Sequence, residues 1–237
     1  MRRSYSRLVA RIKEACQRHG YEYQVLGYVG PSKQFELARV IITPPKYKNT
    51  VCIVCGVHGN EPAPIEAAVQ SLEEGFAESS VRILLHAVLN PWGYVHDKRK
   101  NGFGYDLNRT RTLRLEPEQS LFFMSLLKEH VEFTLFMHED WWSTKLYAFA
   151  FGDQYSSLYS RILDAGGKYM PIHKGNTIDG VEARNGLVMD QHDSSLEDVM
   201  SRTGIPSMCS ETGKKSEWDK RIDANKAMMK AISTFLS

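Results

Sequence analysis

His58 and Glu61 stand three residues apart at the end of one apolar run, His138 ends another about eighty residues later, and Glu211 closes a third. Two ligands close in sequence and a distant third fit a metal held by three protein groups, with a fourth position open. A closed site would be structural, whereas an open position points to catalysis. The spelling His58-Gly59-Asn60-Glu61 puts small residues between the two ligands, so the backbone can bend sharply and aim both at one ion. Arg109, after Asp106-Leu107-Asn108, is a further polar candidate in the central loop region.

These residues need rigid elements to bring them together. Leu8, Val9, Ile12, Ala15 and Cys16 recur at helical spacing and Gly20 follows as a stop, which predicts an opening amphipathic helix. Residues 35–43 and 50–57 read as two strands with a turn region between them. The second is nearly all apolar, as a strand buried on both faces should be. Glu61-Pro62-Ala63-Pro64 opens a helix ending near Gly75, because proline is tolerated in the first turn. Residues 81–90 form a third strand, halted by Pro91-Trp92-Gly93, and residues 94–115 read as a long loop suited to substrate contacts. Further strands are predicted at 133–137, 146–151 and 205–209, and helices at 116–130, 155–165, 194–202 and 216–236. Alternating strands and helices predict a mostly parallel sheet covered on both faces, with ligands outside the carboxyl ends of the strands. His58, His138 and Glu211 each follow a predicted strand, so all three reach that edge.

The 237 residues suit one large α/β domain spanning 1–237, with 42% hydrophobic and 24% charged residues, in the range of ordinary folded proteins. A net charge of +2 with dispersed lysines and arginines gives no footprint for nucleic acid. No apolar run is long enough to span a bilayer, and the basic start lacks a secretory apolar stretch, so a cytoplasmic location is the expectation. Cys52-Ile53-Val54-Cys55 has the C-x-x-C spelling, but residues three apart in a strand point to opposite faces. Reduced, buried thiols are therefore expected at Cys16, Cys52, Cys55 and Cys209.

The ordered set His58-x-x-Glu61, Asn90-Pro91-Trp92-Gly93, Asp106-Leu107-Asn108-Arg109, His138 and Glu211 resembles the zinc carboxypeptidase family over roughly two thirds of the chain. The resemblance implies a three-layer α/β/α fold with a central mixed, mostly parallel sheet. It also implies one zinc ion bound by His58, Glu61 and His138, with Glu211 as general base. By the same resemblance Arg99 steadies the developing oxyanion, while Asn108 and Arg109 grip a substrate carboxylate, a task suited to the planar guanidinium fork. Trp92 replaces the family's aspartate, and the tyrosine expected some twenty residues before the base is missing. His192 and Tyr169 are weak stand-ins for it. Asp140 is a candidate carboxylate for orienting a ligand histidine, and Trp141-Trp142 either line a pocket or simply pack.

The leading expectation is a zinc hydrolase cutting an amide bond beside a free carboxylate, a metallocarboxypeptidase or small-peptide amidase acting on a peptide or acyl-amino-acid substrate. The alternative is an N-acyl-amino-acid deacylase of the succinylglutamate desuccinylase and aspartoacylase type, using the same metal and base. A third reading, less favoured because every ligand and the base are present, is a non-catalytic binding module on the same fold.

Overall fold

The apolar stripe of the first helix dictates the first layer. In the computed structural model, which describes residues 3–76, 79–110 and 115–234, α1 spans Tyr5–His19, with Ser4 as its N-cap and Gly20 ending it in the left-handed conformation at φ 71°. That conformation suits glycine because no Cβ meets the following carbonyl. Two strands follow, β1 (Glu22–Val29) and β2 (Phe35–Ile42), paired antiparallel. The sequence reading overlooked β1, whose alternation is masked by Gln24, Gly27 and Tyr28 and broken by a bulge between Val25 and Gly27.

Next come β3 (Thr50–Cys55), α2 (Pro62–Glu74) and β4 (Arg82–His86). β4 inserts between β2 and β3, so the two strands flanking the proline turn are not neighbours. Pro91-Trp92-Gly93 starts a helix instead of halting a strand: α3 runs Pro91–His96, with Asn90 as N-cap accepting from the Gly93 N–H at 2.8 Å. Asn-Pro supplies a cap and a pre-set first residue, a signal more specific than the turn tendency of the same letters.

Helix α4 (Pro117–Leu126) begins with a capping box between Glu116 and Gln119. Then follow β5 (Phe133–Asp140), β6 (Tyr147–Phe151), α5 (Ser156–Gly167), and a small hairpin of β7 (Thr177–Ile178) and β8 (Val181–Glu182). The chain continues with β9 (Leu187–Met189), α6 (Leu196–Arg202), β10 (Ser207–Gly213) and α7 (Trp218–Ser233). Phe235 and Leu236, expected to extend the last helical stripe, and residues 111–114 of the central loop lie outside the described residues.

The main sheet has eight strands in the order β1-β2-β4-β3-β5-β10-β6-β9. Its central strands β4, β3, β5 and β10 run parallel, while β1, β2 and β6 add antiparallel pairings. Helices cover both faces. Ile53, Cys55 and Leu135 pack with Ala68, Ile162 and Met228 of α2, α5 and α7, and Cys52, Val54 and Phe136 pack with Phe122 and Met200 of α4 and α6. Cys52 and Cys55 thus face opposite layers, and all four cysteines are buried and free. Among the described residues no helix is long and apolar enough to cross a membrane.

One buried histidine belongs to the core. His86, 1% exposed on β4, has no partner at either ring nitrogen and stacks edge-on against Phe122 at 5.0 Å. Burial, aided by the positive charge of Arg39, pushes its pKa down from 6.5 to about 3. The folded state therefore resists the proton that the unfolded chain accepts. Stability from this residue is intact above pH 6.5 and is lost as pH falls toward 3, by at most about 5 kcal/mol at about 1.4 kcal/mol per unit. His86→Leu should flatten that acid slope in urea unfolding between pH 7 and 4, whereas an unchanged slope would place the acid sensitivity elsewhere.

Candidate metal centre

Two strands and a helix N-terminus deliver the predicted ligands to one edge of the sheet, and a third strand brings the candidate base there. β3 ends at Cys55, and Gly56, at φ 63°, turns the chain so that His58 leaves the strand sideways. Glu61 is the N-cap residue of α2, placed by Pro62 at the first helical position. His138 lies inside β5, two residues before its end, and its partner in the parallel register is Glu211 of β10. Both strands run further than their apolar letters suggest, so His138 and Glu211 are strand residues and not loop residues.

The spacing His58-Gly59-Asn60-Glu61 has a reason beyond sharp bending. A Cβ on Gly59 would come within 1.9 Å of the Gly93 carbonyl carbon and 2.1 Å of the Tyr94 nitrogen. The backbone of α3 packs directly on this corner, and only glycine allows the approach.

The three side chains converge. Glu61 Oε1 lies 2.7 Å from His58 Nδ1, Glu61 Oε2 lies 2.9 Å from His138 Nδ1, and the two Nδ1 atoms are 3.1 Å apart. A tetrahedral ion with ligand bonds of about 2.1 Å needs donors roughly 3.4 Å apart, so a slight opening of this triangle would admit one. All three residues are buried, and two imidazoles with one carboxylate form the donor set of catalytic zinc sites with a free position. The residues therefore fit a divalent ion.

Electrostatics support the same arrangement. Burial raises the Glu61 carboxyl, but His58 and His138 together hold its pKa well below the ordinary carboxylate value. Burial disfavours a proton on His58, yet Glu61 and Asp106 more than offset this and raise its pKa. An ion entering the triangle must displace that proton, so metal affinity should fall as pH falls.

The carboxylate that orients His58 is Asp106, whose Oδ1 is 3.1 Å from His58 Nε2. With Nε2–H on Asp106, Nδ1 is left to face the metal. Asp106 Oδ2 also accepts from Arg99 Nε at 2.9 Å, which brings Arg99 Nη1 to 3.7 Å from Glu61 Oε1. Burial raises Asp106, but the pull of His58 and Arg99 holds it strongly ionised. Asp140, the sequence candidate for this orienting task, instead accepts from the Trp142 backbone N–H at 2.9 Å. Asp106→Asn should weaken zinc binding about 10–100-fold in chelator competition, and undiminished affinity would remove Asp106 from the metal's support.

Glu211 faces the same cavity, which measures about 390 Å³ and also meets His58, Glu61, Arg99, Asn108 and Arg109. Its Oε2 is buried with no hydrogen-bond partner. Burial raises its pKa well above the ordinary value; His138 opposes that rise, while Glu61, Asp140 and Glu197 reinforce it. Asn108 is almost fully buried: Oδ1 accepts from the Leu196 N–H at 2.9 Å and Nδ2 donates to Glu197 Oε1 at 3.3 Å. Arg109 is partly exposed, donating to the Asn108 carbonyl at 2.6 Å and lying 3.6 Å from Asp193.

Three residues at or beside the site were given no task by the sequence: Asp106, which holds His58 and Arg99, and the cavity-lining Tyr147 and Glu197. Asp106 was legible as part of Asp106-x-Asn108-Arg109 but carried no assigned task. Tyr147 is the cross-strand partner of Glu211 and lines the cavity, whereas His192 is tied to Asp198 at 2.5 Å and Tyr169 lies on another surface. Glu197 on α6 had no motif to mark it. Trp141 and Trp142 sit on the rim, 48% and 82% exposed, with Lys214 and Lys215 over their rings at 3.6 and 5.2 Å.

No protein-family model matches the sequence, and no curated protein matches it significantly. Solved structures do resemble it. A Shewanella amazonensis protein named provisionally as a metallopeptidase is 25% identical, with a TM-score of 0.87 over 98% of this chain and 93% of that one. A metallo-carboxypeptidase of Burkholderia cenocepacia is 17% identical, with a TM-score of 0.76 over 97% of this chain and 68% of that one. A metallo-carboxypeptidase of Pseudomonas aeruginosa, in complex with (2-guanidinoethylmercapto)succinic acid, is 13% identical, with a TM-score of 0.73 over 98% and 68%. The fold is thus shared with these metallopeptidases and metallo-carboxypeptidases, and at the carboxyl edge of the sheet the buried His58-Glu61-His138 group could hold a metal ion.

Proposed function

We propose that the chain is a zinc-dependent hydrolase cleaving an amide bond next to a free carboxylate, as a metallocarboxypeptidase or small-peptide amidase. One observation carries the reading: an unpartnered, buried carboxylate oxygen of Glu211 opens into the cavity that holds the His58-Glu61-His138 triangle.

When bound there, a zinc ion supplies Lewis acidity that polarises a carbonyl and acidifies water. Glu211 takes the proton of the attacking water and then delivers it to the leaving nitrogen, one carboxylate serving as base and acid in turn. Arg99 keeps donors free after its Nε is used on Asp106, and these face the oxygen on which negative charge grows. Arg109 receives the substrate carboxylate, with Asn108 fixing the backbone beside it against α6. Trp141 and Trp142 shield the mouth. The proposed location is the cytoplasm.

The test is a matched assay of zinc-loaded protein on benzoylglycyl dipeptides and on N-acetyl and N-succinyl amino acids. Hydrolysis of the acylated amino acids alone would replace the peptidase reading by the deacylase one. Failure to hold zinc under zinc-replete conditions would favour a binding module. In the same assay Arg109→Lys should raise KM about tenfold or more with a smaller change in kcat, because a single ammonium cannot reproduce two parallel bonds to a carboxylate. Equal KM values would give Arg109 another task.

A further inference from the structure

Three peptide units join the Cα atoms of His58 and Glu61, and each is a rigid plane. Rotating any of these planes alters the dihedral angles on both sides of it, and with them the separation of the two ligand side chains. Gly59 makes such rotation easy, because a residue without a Cβ tolerates dihedral angles that others do not. Yet the carbonyl of every unit in this turn has a donor. The His58 carbonyl accepts from the Glu61 N–H at 3.2 Å, the local closure of the turn. The Gly59 carbonyl accepts from Arg3 Nη1 at 2.8 Å, and the Asn60 carbonyl accepts from the Lys214 ammonium. Two cations remote in sequence thus hold the planes that the turn does not hold by itself.

Each cation is itself anchored. Arg3 Nη2 pairs with Asp97 at 2.9 Å, and the guanidinium lies over the Tyr94 ring at 5.4 Å. Arg3 therefore ties the turn to α3, whose backbone already packs against Gly59. Lys214 directly follows β10, three residues after Glu211, and its ammonium lies 3.6 Å from the centre of the Trp141 ring. The strand that brings Glu211 to the site also steadies the turn that carries two ligands.

We infer that Arg3 and Lys214 are positioning residues for the metal, fixing the His58–Glu61 turn and so setting metal affinity from outside the ligand triangle. These roles rest on the reading of His58, Glu61 and His138 as a metal site. Charge and geometry predict opposite signs. A cation near a divalent ion repels it, so if charge were the whole contribution, removing Arg3 or Lys214 would tighten metal binding. A donor that holds ligands in place strengthens binding, and its removal loosens it. Contacts that served stability alone would lower the unfolding midpoint of the metal-free protein and leave the zinc affinity of the folded protein unchanged.

The deciding experiment is chelator competition for zinc on the parent, Arg3→Met, Lys214→Met, Arg3→Lys and Lys214→Arg, with urea unfolding of each metal-free protein alongside. Methionine keeps an apolar stem and removes both donor and charge. Each methionine variant should bind zinc about tenfold or more weaker than the parent. Lys214→Arg, which keeps a cationic donor, should recover most of the affinity. Arg3→Lys should recover only part and stay about threefold weaker, because one ammonium does not serve Gly59, Tyr94 and Asp97 as the planar fork does. Unchanged or tighter zinc binding in a methionine variant would overturn the positioning role of that residue, as would a conservative variant no better than its methionine counterpart. If Arg3→Met or Lys214→Met does not fold, the zinc dissociation rate of Arg3→Lys carries the test, and a rate equal to that of the parent overturns the role. A parent that holds no zinc under zinc-replete conditions would refute the metal site itself, whereas equal affinity in the parent and both methionine variants would refute positioning alone.

Discussion

Glu211→Gln is expected to keep one zinc ion per chain and to lower kcat by roughly 10²–10⁴. The amide keeps the size of the carboxylate, and its own oxygen is too weak a base to take a proton from water. Glu211 does not belong to the ligand triangle: it stands one strand over from His138, in parallel register with it. Metal content and turnover should therefore separate. Only the carboxylate form can take the proton, so activity of the zinc-loaded enzyme should climb as pH rises through the titration of Glu211, and this acid limb should vanish in the variant. The sign for stability is opposite. In the metal-free protein, ionising a buried carboxyl with a raised pKa costs free energy, so stability is lost as pH rises above the ordinary 4.5 toward the raised value. Metal-free Glu211→Gln lacks that loss and should unfold at higher urea than the metal-free parent at neutral pH. Retained kcat would remove Glu211 from the mechanism, and lost zinc would recast it as a ligand.

His138→Ala should abolish stoichiometric zinc binding and bring hydrolysis to background. The proposed ligand set has three protein groups, and losing one leaves two donors for an ion that ordinarily takes three. The effect exceeds that of Asp106→Asn, because Asp106 acts through His58 while His138 presents its own Nδ1. The loss also reaches the apo protein. Glu61 is 2% exposed and stays ionised through two imidazoles, and removing one withdraws part of that compensation from a buried charge. Chelator competition and metal analysis of the purified variant provide the check: zinc retained at parental affinity would break the assignment of the triangle.

The contrast between the Glu211 and His138 variants follows from the strand pair that carries both residues. β5 and β10 lie side by side in the parallel centre of the sheet, and each is fixed by apolar residues facing the helices on both sides. Such strands are rigid supports for chemistry at their carboxyl ends.

The convergence of the candidate ligands was legible because chemistry restricts their types and the covalent chain restricts His58 and Glu61 to one corner. His138 was readable from its place at the end of an apolar run, and the opposite facing of Cys52 and Cys55 from the two-residue period of a strand. The chain alone determined the alternation of strands and helices and hence a mostly parallel central sheet. Tertiary structure decided what depends on neighbours remote in sequence. It placed β4 between β2 and β3, set α3 against Gly59, gave Asp106 instead of Asp140 to His58, and turned Tyr147 and Glu197 into the cavity. None of these follows from spacing, because a polar side chain takes its role from the partner that packing brings within about 3 Å, and periodicity reports only which face of an element is buried.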